Sequence, residues 1–268
     1  MSARCHGGSP HIRHRSGDAP RDTTPLRRGG RFLQRRSPPA ANRDLAFLPA
    51  EPVTVRLGKL AAWGGVAGPV LFTAAWVASS LRQAGHSAAE VQLSGLAAPD
   101  ARDPQIMIAG FVVLGACSAG FGAALRTVAP RSAGPWLVVA GGAAAVAAGV
   151  FRRDHMLLTG PGFAGESWHN QVHDVASAVA YAAMLTAPLV LARQFRADPR
   201  WAVIARPVQV LALASAAAMA VFVSRAAEPS DGAVQRTAVT LALAAGVLAA
   251  VRMLTLQESP VVLQPEQV

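Results

Sequence analysis

The chain has 268 residues, 52% of them apolar and only 15% charged, and a formal net charge of +10. Soluble domains average about 25% charged residues, so a length that would allow one large or two small soluble domains belongs here to an all-α membrane protein. Two cysteines, Cys5 in a polar arm and Cys117 in an apolar run, are expected to be free thiols; no Gly-rich phosphate loop, G-x-S-x-G or C-x-x-C occurs.

Residues 1–58 hold eleven arginines, seven prolines and few apolar side chains. Such a composition buries too little apolar surface to offset ordering entropy, so the segment is expected to be a disordered basic tail. Twelve basic and four acidic residues up to Lys59 account for +8 of the net charge. Attraction to anionic lipid headgroups is the functional reading of this arm; the bland ones are an arm without function and a start codon set too early. No apolar region closely follows Arg27-Arg28 or Arg35-Arg36, so neither a twin-arginine signal nor a cleaved signal peptide is expected. Phe32 and Phe47 are its only aromatic residues, too few for the stacking platforms of nucleic-acid binders, and no nucleic-acid partner is expected.

Six apolar runs follow, at 60–81, 104–125, 132–151, 175–192, 207–224 and 232–256. About 20 apolar residues cover the hydrocarbon core, and each backbone group there must be paired within its own helix. The expectation is a polytopic bundle of six transmembrane helices over residues 59–256, with a short tail at 257–268. Arg236 and Arg252 flank the sixth run and are expected to snorkel to the interface. Segments on the side of the termini hold 19 Lys and Arg against 6 on the other, which places both termini in the cytoplasm of a multi-pass cell-membrane protein. Trp63, Trp136 and Trp201 fall near the cytoplasmic ends of the runs and Trp76 and Trp168 near the outer ends, as headgroup-level rings do. Gly64, Gly68, Gly115, Gly141, Gly142 and Gly149 point to close helix contacts inside one bundle, and Pro69 and Pro188 to local kinks.

The outer loops carry the polar chemistry: eight of the fifteen acids and four of the seven histidines. In the first, Ser87 and Glu90 form an S-x-x-E capping box, which predicts a short helix from Ser87 to about Leu93. Val91, Leu93 and Leu96 would let it lie on the bilayer or cover the bundle, and His86 precedes it. The second loop ends in "SWHNQVHD", with Ser167 as a predicted N-cap. A helix starting there stacks His169 and His173 one turn apart. With Asp154 or His155 they would supply three ligands for zinc, while Asp174 points about 100° from His173. Two other readings stand beside the metal: imidazoles that hydrogen-bond the loop to neighbouring helix ends, and a proton-responsive or polar ligand site. The candidate ligand-binding set is Asp154, His169, His173, Asp174 and His86; the candidate metal set is Asp154, His155, His169 and His173. No cofactor other than that zinc is implied.

From Gly64 to about Arg252 the chain resembles the family catalogued as domain of unknown function 998, six-span membrane proteins of bacteria and archaea. The likeness rests on "GGVAGPVLFTAAWVA", on "LSGLAAPDARDPQIMIAGFVVLGACSAGFGAALR", and on "VFRRD" followed by "SWHNQVHD". Family members commonly read Ser-Glu-Leu where this chain has Ser94-Gly95-Leu96; Phe151, Asp154 and His173 match residues the family repeats. The resemblance implies a six-span fold and no particular activity. A more distant likeness is to membrane hydrolases similar to alkaline ceramidases, which have seven spans and bind zinc through histidines and an aspartate. The leading expectation is a membrane protein, embedded in the lipid bilayer, with an outer-face pocket near Asp154, His169 and His173 for a lipid headgroup, ion or small ligand. The alternative is a zinc-dependent hydrolase of a lipid amide or ester. A small transporter comes third, since clear repeats and a mid-span charge are missing.

Overall fold

The computed structural model of the protein describes residues 53–85, 87–154, 167–224 and 231–258. Among these residues are six α-helices: α1 (Val53–Arg82), α2 (Pro104–Leu125), α3 (Gly134–Val150), α4 (Trp168–Ala197), α5 (Pro199–Ser224) and α6 (Asp231–Glu258). A 3-10 turn, Leu93–Ala97, lies between α1 and α2, and no strand occurs among the described residues. Five of the helices are long and apolar enough to cross a membrane; α3 has 17 residues. At 1.5 Å per residue α3 measures about 25 Å, against a hydrocarbon core of about 30 Å. The expected tail is outside the described residues up to position 52, and α1 begins at Val53, inside the segment expected to be tail.

Besides α1, two helices start well before their apolar runs, each because a polar residue caps it. Ser167 is the N-cap of α4, as expected, with its Oγ accepting the Asn170 N–H at 3.2 Å. Asp198 begins α5, ahead of the run expected at 207. Its carbonyl accepts from the Trp201 and Ala202 amides, both at 2.9 Å, and its carboxylate from the Arg200 amide, also at 2.9 Å. Pro199 follows at the first helical position, where a missing N–H costs nothing. The Arg200 side chain holds the Asp198 carboxyl below the usual carboxylate range.

Each helix packs on its neighbours in sequence and α6 returns to α1, so the six form a closed ring. Two ends result. The proximal end carries the start of α1 and the finish of α6, where Gly58 lies beside the Gln257 side chain. Aromatic residues fill it: Phe195 stacks on Trp201 at 4.7 Å, packed with Phe121, Leu125, Val208 and Met253. Trp201 is therefore a core residue, 2% exposed, and not the headgroup-level anchor expected of it; the early start of α5 turns it inward against α4. Trp63, Trp136 and Trp168 are more than half exposed, as belt residues are.

Close contact on the α2/α3 seam depends on glycine. A Cβ on Gly115 would strike the Gly142 carbonyl, and one on Gly142 would come within 2.5 Å of the Gly115 carbonyl. Gly64 and Gly68 both face Cys117 on α2, so the small residues serve packing within one chain.

The distal end is closed by the α1/α2 connection. The expected helix from Ser87 is absent: the Glu90 and Val91 amides close a single turn on the Ser87 carbonyl, and the chain then dips inward as the 3-10 turn. Leu93 to Ala98 are all buried, with Leu96 and Ala98 at 0% exposure. Of the two placements open from the sequence, this segment takes the second and covers the bundle. At its end Asp103 adopts a left-handed conformation (φ 54°) before Pro104, held by the Arg82 guanidinium at 2.7 Å. A non-glycine residue there costs about 1–3 kcal/mol, which the Arg82 contact and the reciprocal bonds between the Gln83 amide and the Arg102 backbone offset.

Candidate functional site

The helix that begins at "SWHNQVHD" uses most of its polar groups on itself and its neighbour. Asp154, just past α3, accepts the Ser167 amide at 2.9 Å and the Ser167 hydroxyl at 2.7 Å. Asn170 takes the Asp154 amide at 3.2 Å and donates to Asp174 at 2.9 Å. Arg153 lies 3.8 Å from Asp174 and donates to the Gln92 side chain at 3.2 Å, which ties this cluster to the covering segment.

The two histidines part company. His173 is 1% exposed, and its Nδ1 lies 2.8 Å from the Ala148 carbonyl and 2.9 Å from that of Phe151. Two carbonyls can only accept, so Nδ1 carries the proton and, in the neutral ring, Nε2 presents a lone pair; Nε2 is buried without a partner. His169 is exposed and stacks on Trp168 at 3.7 Å, with Phe151 beyond. Four residues advance a helix by about 400°, leaving His169 some 40° round from His173, and in the first turn that offset is enough to put it outside. His86 and His155 lie outside the described residues. Among the described residues no three His, Cys, Asp or Glu side chains converge as metal ligands would. Asp154, Asp174 and His173 act as connectors of helix ends, in line with the hydrogen-bonding reading of the motif.

A second polar cluster, unforeseen from the sequence, sits in α6. Gln235, 2% exposed, accepts the Leu93 amide at 2.7 Å and donates to the Tyr181 hydroxyl at 2.7 Å. Arg236 does not snorkel. The residue is 8% exposed, and its guanidinium packs over the Trp76 ring at 5.4 Å and donates through Nη1 to the Ala88 and Val91 carbonyls, each at 2.6 Å. A Cβ on Gly232 would lie 2.5 Å from the Val91 carbonyl, so only glycine seats the segment this closely. The Ala233 amide adds a bond to Ala89 at 2.9 Å. The reason for burial is thus an unpaired loop backbone: carbonyls drawn under the bundle's rim need donors, and Arg236 supplies them. The signal in the sequence was the run Gln235-Arg236 within an apolar segment together with Tyr181, the one tyrosine in the chain.

Beneath both clusters the helices line a partly open cavity of about 160 Å³. Its wall is mostly apolar, with Phe72, Leu114, Met184 and Leu243 among the larger side chains and Tyr181, Ser177 and Ser94 as polar ones. A six-helix ring leaves a central space that only large side chains can fill, and α3, α4 and α6 offer it Gly142, Ala145, Ala180, Ala245 and Gly246. At Gly246 an added Cβ would meet nothing within 4 Å. Ala148, which holds His173, also lines the cavity, and Ser177 lies one turn below His173 on the same helix. Apolar cavities of about 150 Å³ stay dry and admit benzene-sized guests.

No curated protein and no solved structure matches the chain. The family model described as "Protein of unknown function (DUF998)" matches residues 66–252, which take in the cavity, the covering segment and both polar clusters, and the chain belongs to that family.

Proposed function

We propose that this protein is a six-span cell-membrane protein, with both termini cytoplasmic, that binds the apolar part of an amphiphilic molecule between its helices. The observation that carries this reading is the cavity, an unfilled apolar space of about 160 Å³ whose wall includes Gly246, where side-chain room is left open. Ser94, Ser177 and Tyr181 lie toward the distal end of that space and, apart from Ser118, apolar groups line the rest, an arrangement that suits an amphiphile. The binding site accordingly moves from the expected surface pocket around Asp154, His169 and His173 to the interior those residues help to close. The basic N-terminal segment would add attraction to an anionic leaflet.

The test is a single filling substitution. Gly246→Leu places a side chain in the cavity and replaces a mid-helix glycine, a change that favours the helix by up to about 1 kcal/mol, so loss of binding would not be loss of fold. Wild-type protein in nanodiscs is expected to bind octanol saturably, and Gly246→Leu to abolish it. Octanol binding that is equal in both, or none in either, would overturn the reading.

A further inference from the structure

We infer that the occupant of the cavity is an anionic amphiphile whose carboxylate or phosphate head is received by Arg236; this rests on the reading above that the cavity holds an alkyl chain. The bilayer already solvates alkyl chains, so moving one from lipid to cavity brings little hydrophobic gain. Discrimination must come from the head. Arg236 is a buried cation one turn beyond the cavity's distal wall: Val239 and Leu243, three and seven residues further along the same face of α6, line the cavity, as does Phe72, one turn from Trp76 beneath the guanidinium, while Arg236 itself does not.

The guanidinium is under-used. It has five N–H donors, of which those on Nη1 serve the Ala88, Val91 and Gly232 carbonyls, while Nε and Nη2 are buried with no hydrogen-bond partner. None of the ion pairs among the described residues involves Arg236. A buried charge satisfied on one nitrogen only is expensive, and a two-oxygen anion against Nε and Nη2 would complete the fork. A rise of 1.5 Å per residue puts Arg236 about 4.5 Å above Val239 along α6, within reach of the head of a molecule whose chain lies in the cavity once the side chains between them shift. Nη1 would keep the covering segment in place while the other edge of the guanidinium takes the ligand.

Binding of octanoate, octyl phosphate, octanol and inorganic phosphate to the full chain in nanodiscs tests this, with each variant compared as a ratio of affinities so that partition into lipid cancels. Wild-type protein is expected to bind octanoate and octyl phosphate at least tenfold more tightly than octanol, and inorganic phosphate weakly. Arg236→Gln is expected to bring the octanoate-to-octanol affinity ratio down to about one, whatever the loosened cover does to both probes; Arg236→Lys, which keeps charge but loses the fork, should retain a reduced preference. Gly246→Leu should remove all three alkyl probes. Octanol and octanoate bound alike in wild type, or a preference that survives Arg236→Gln, would overturn the assignment of Arg236 while leaving the cavity reading intact. Inorganic phosphate bound as tightly as octyl phosphate would also overturn it, in favour of a free-anion site. If Arg236→Gln does not fold, the wild-type ratio and its fall with added salt decide the matter.

Discussion

Gln235→Leu isolates the polar clamp that holds the covering segment to the bundle. The substitution is close in volume and puts an apolar side chain into an apolar helix, so a purely packing view predicts little change. The hydrogen bonds predict otherwise. The Leu93 amide, donating to Gln235 at 2.7 Å, becomes a buried donor with nothing to bind, at about 1–3 kcal/mol. The Tyr181 hydroxyl loses its donor at 2.7 Å, a bond worth about 0.5–1.5 kcal/mol net. Together the loss is about 2–4 kcal/mol, which at about 2–4 °C per kcal/mol for a chain of this size lowers Tm by about 5–15 °C. Thermal unfolding in detergent gives the total, and hydrogen exchange across residues 87–101 shows whether the covering segment opens first. Tyr181→Phe in the Gln235→Leu background is expected to cost almost nothing further, because its partner is already gone, whereas alone it leaves the Gln235 amide half-used. Gln235→Leu with unchanged Tm and unchanged exchange in 87–101 would refute the claim that this bond holds the segment.

Asp154→Ala removes the acceptor of both the Ser167 amide and the Ser167 hydroxyl. A drop in stability of about 2–3 kcal/mol is expected, with exchange rising in the first turn of α4, and no change in that turn would count against the cap. His173→Ala leaves the Ala148 and Phe151 carbonyls without their shared donor, so it is expected to lower Tm more than His169→Ala, whose ring is exposed. Elemental analysis of the same proteins is expected to find no stoichiometric zinc in wild type; about one zinc per chain, lost in both variants, would restore the metal reading and assign the buried Nε2 a ligand's role.

The legible part of the fold was the part governed by one-dimensional rules. Long uncharged runs located all six helices, and Ser167 announced the cap of α4, because apolar length and a hydroxyl three residues before an amide act locally. Helix starts at Val53 and Pro199 were missed by several residues where charged or polar turns extend an apolar run, although Asp198-Pro199 is itself a start signal. The candidate site was legible only as a list. His169 and His173, equivalent by spacing, became an exposed ring and a buried clamp, since their fates depend on where α3 ends and not on the four residues between them.

What the sequence by itself determined was that this chain is helical, suited to a membrane, and furnished with polar residues at one set of helix ends. Composition and period suffice for that, because every backbone group in hydrocarbon must find its partner close by. Tertiary structure alone decided that α6 closes the ring on α1, that the 87–101 segment turns inward, and that Arg236 lies beneath it rather than at the interface. It also decided that glycines and alanines scattered over α3, α4 and α6 leave one shared space. A void and a buried charge belong to no single helix: each is set by the residues that several helices bring, or fail to bring, to the same point.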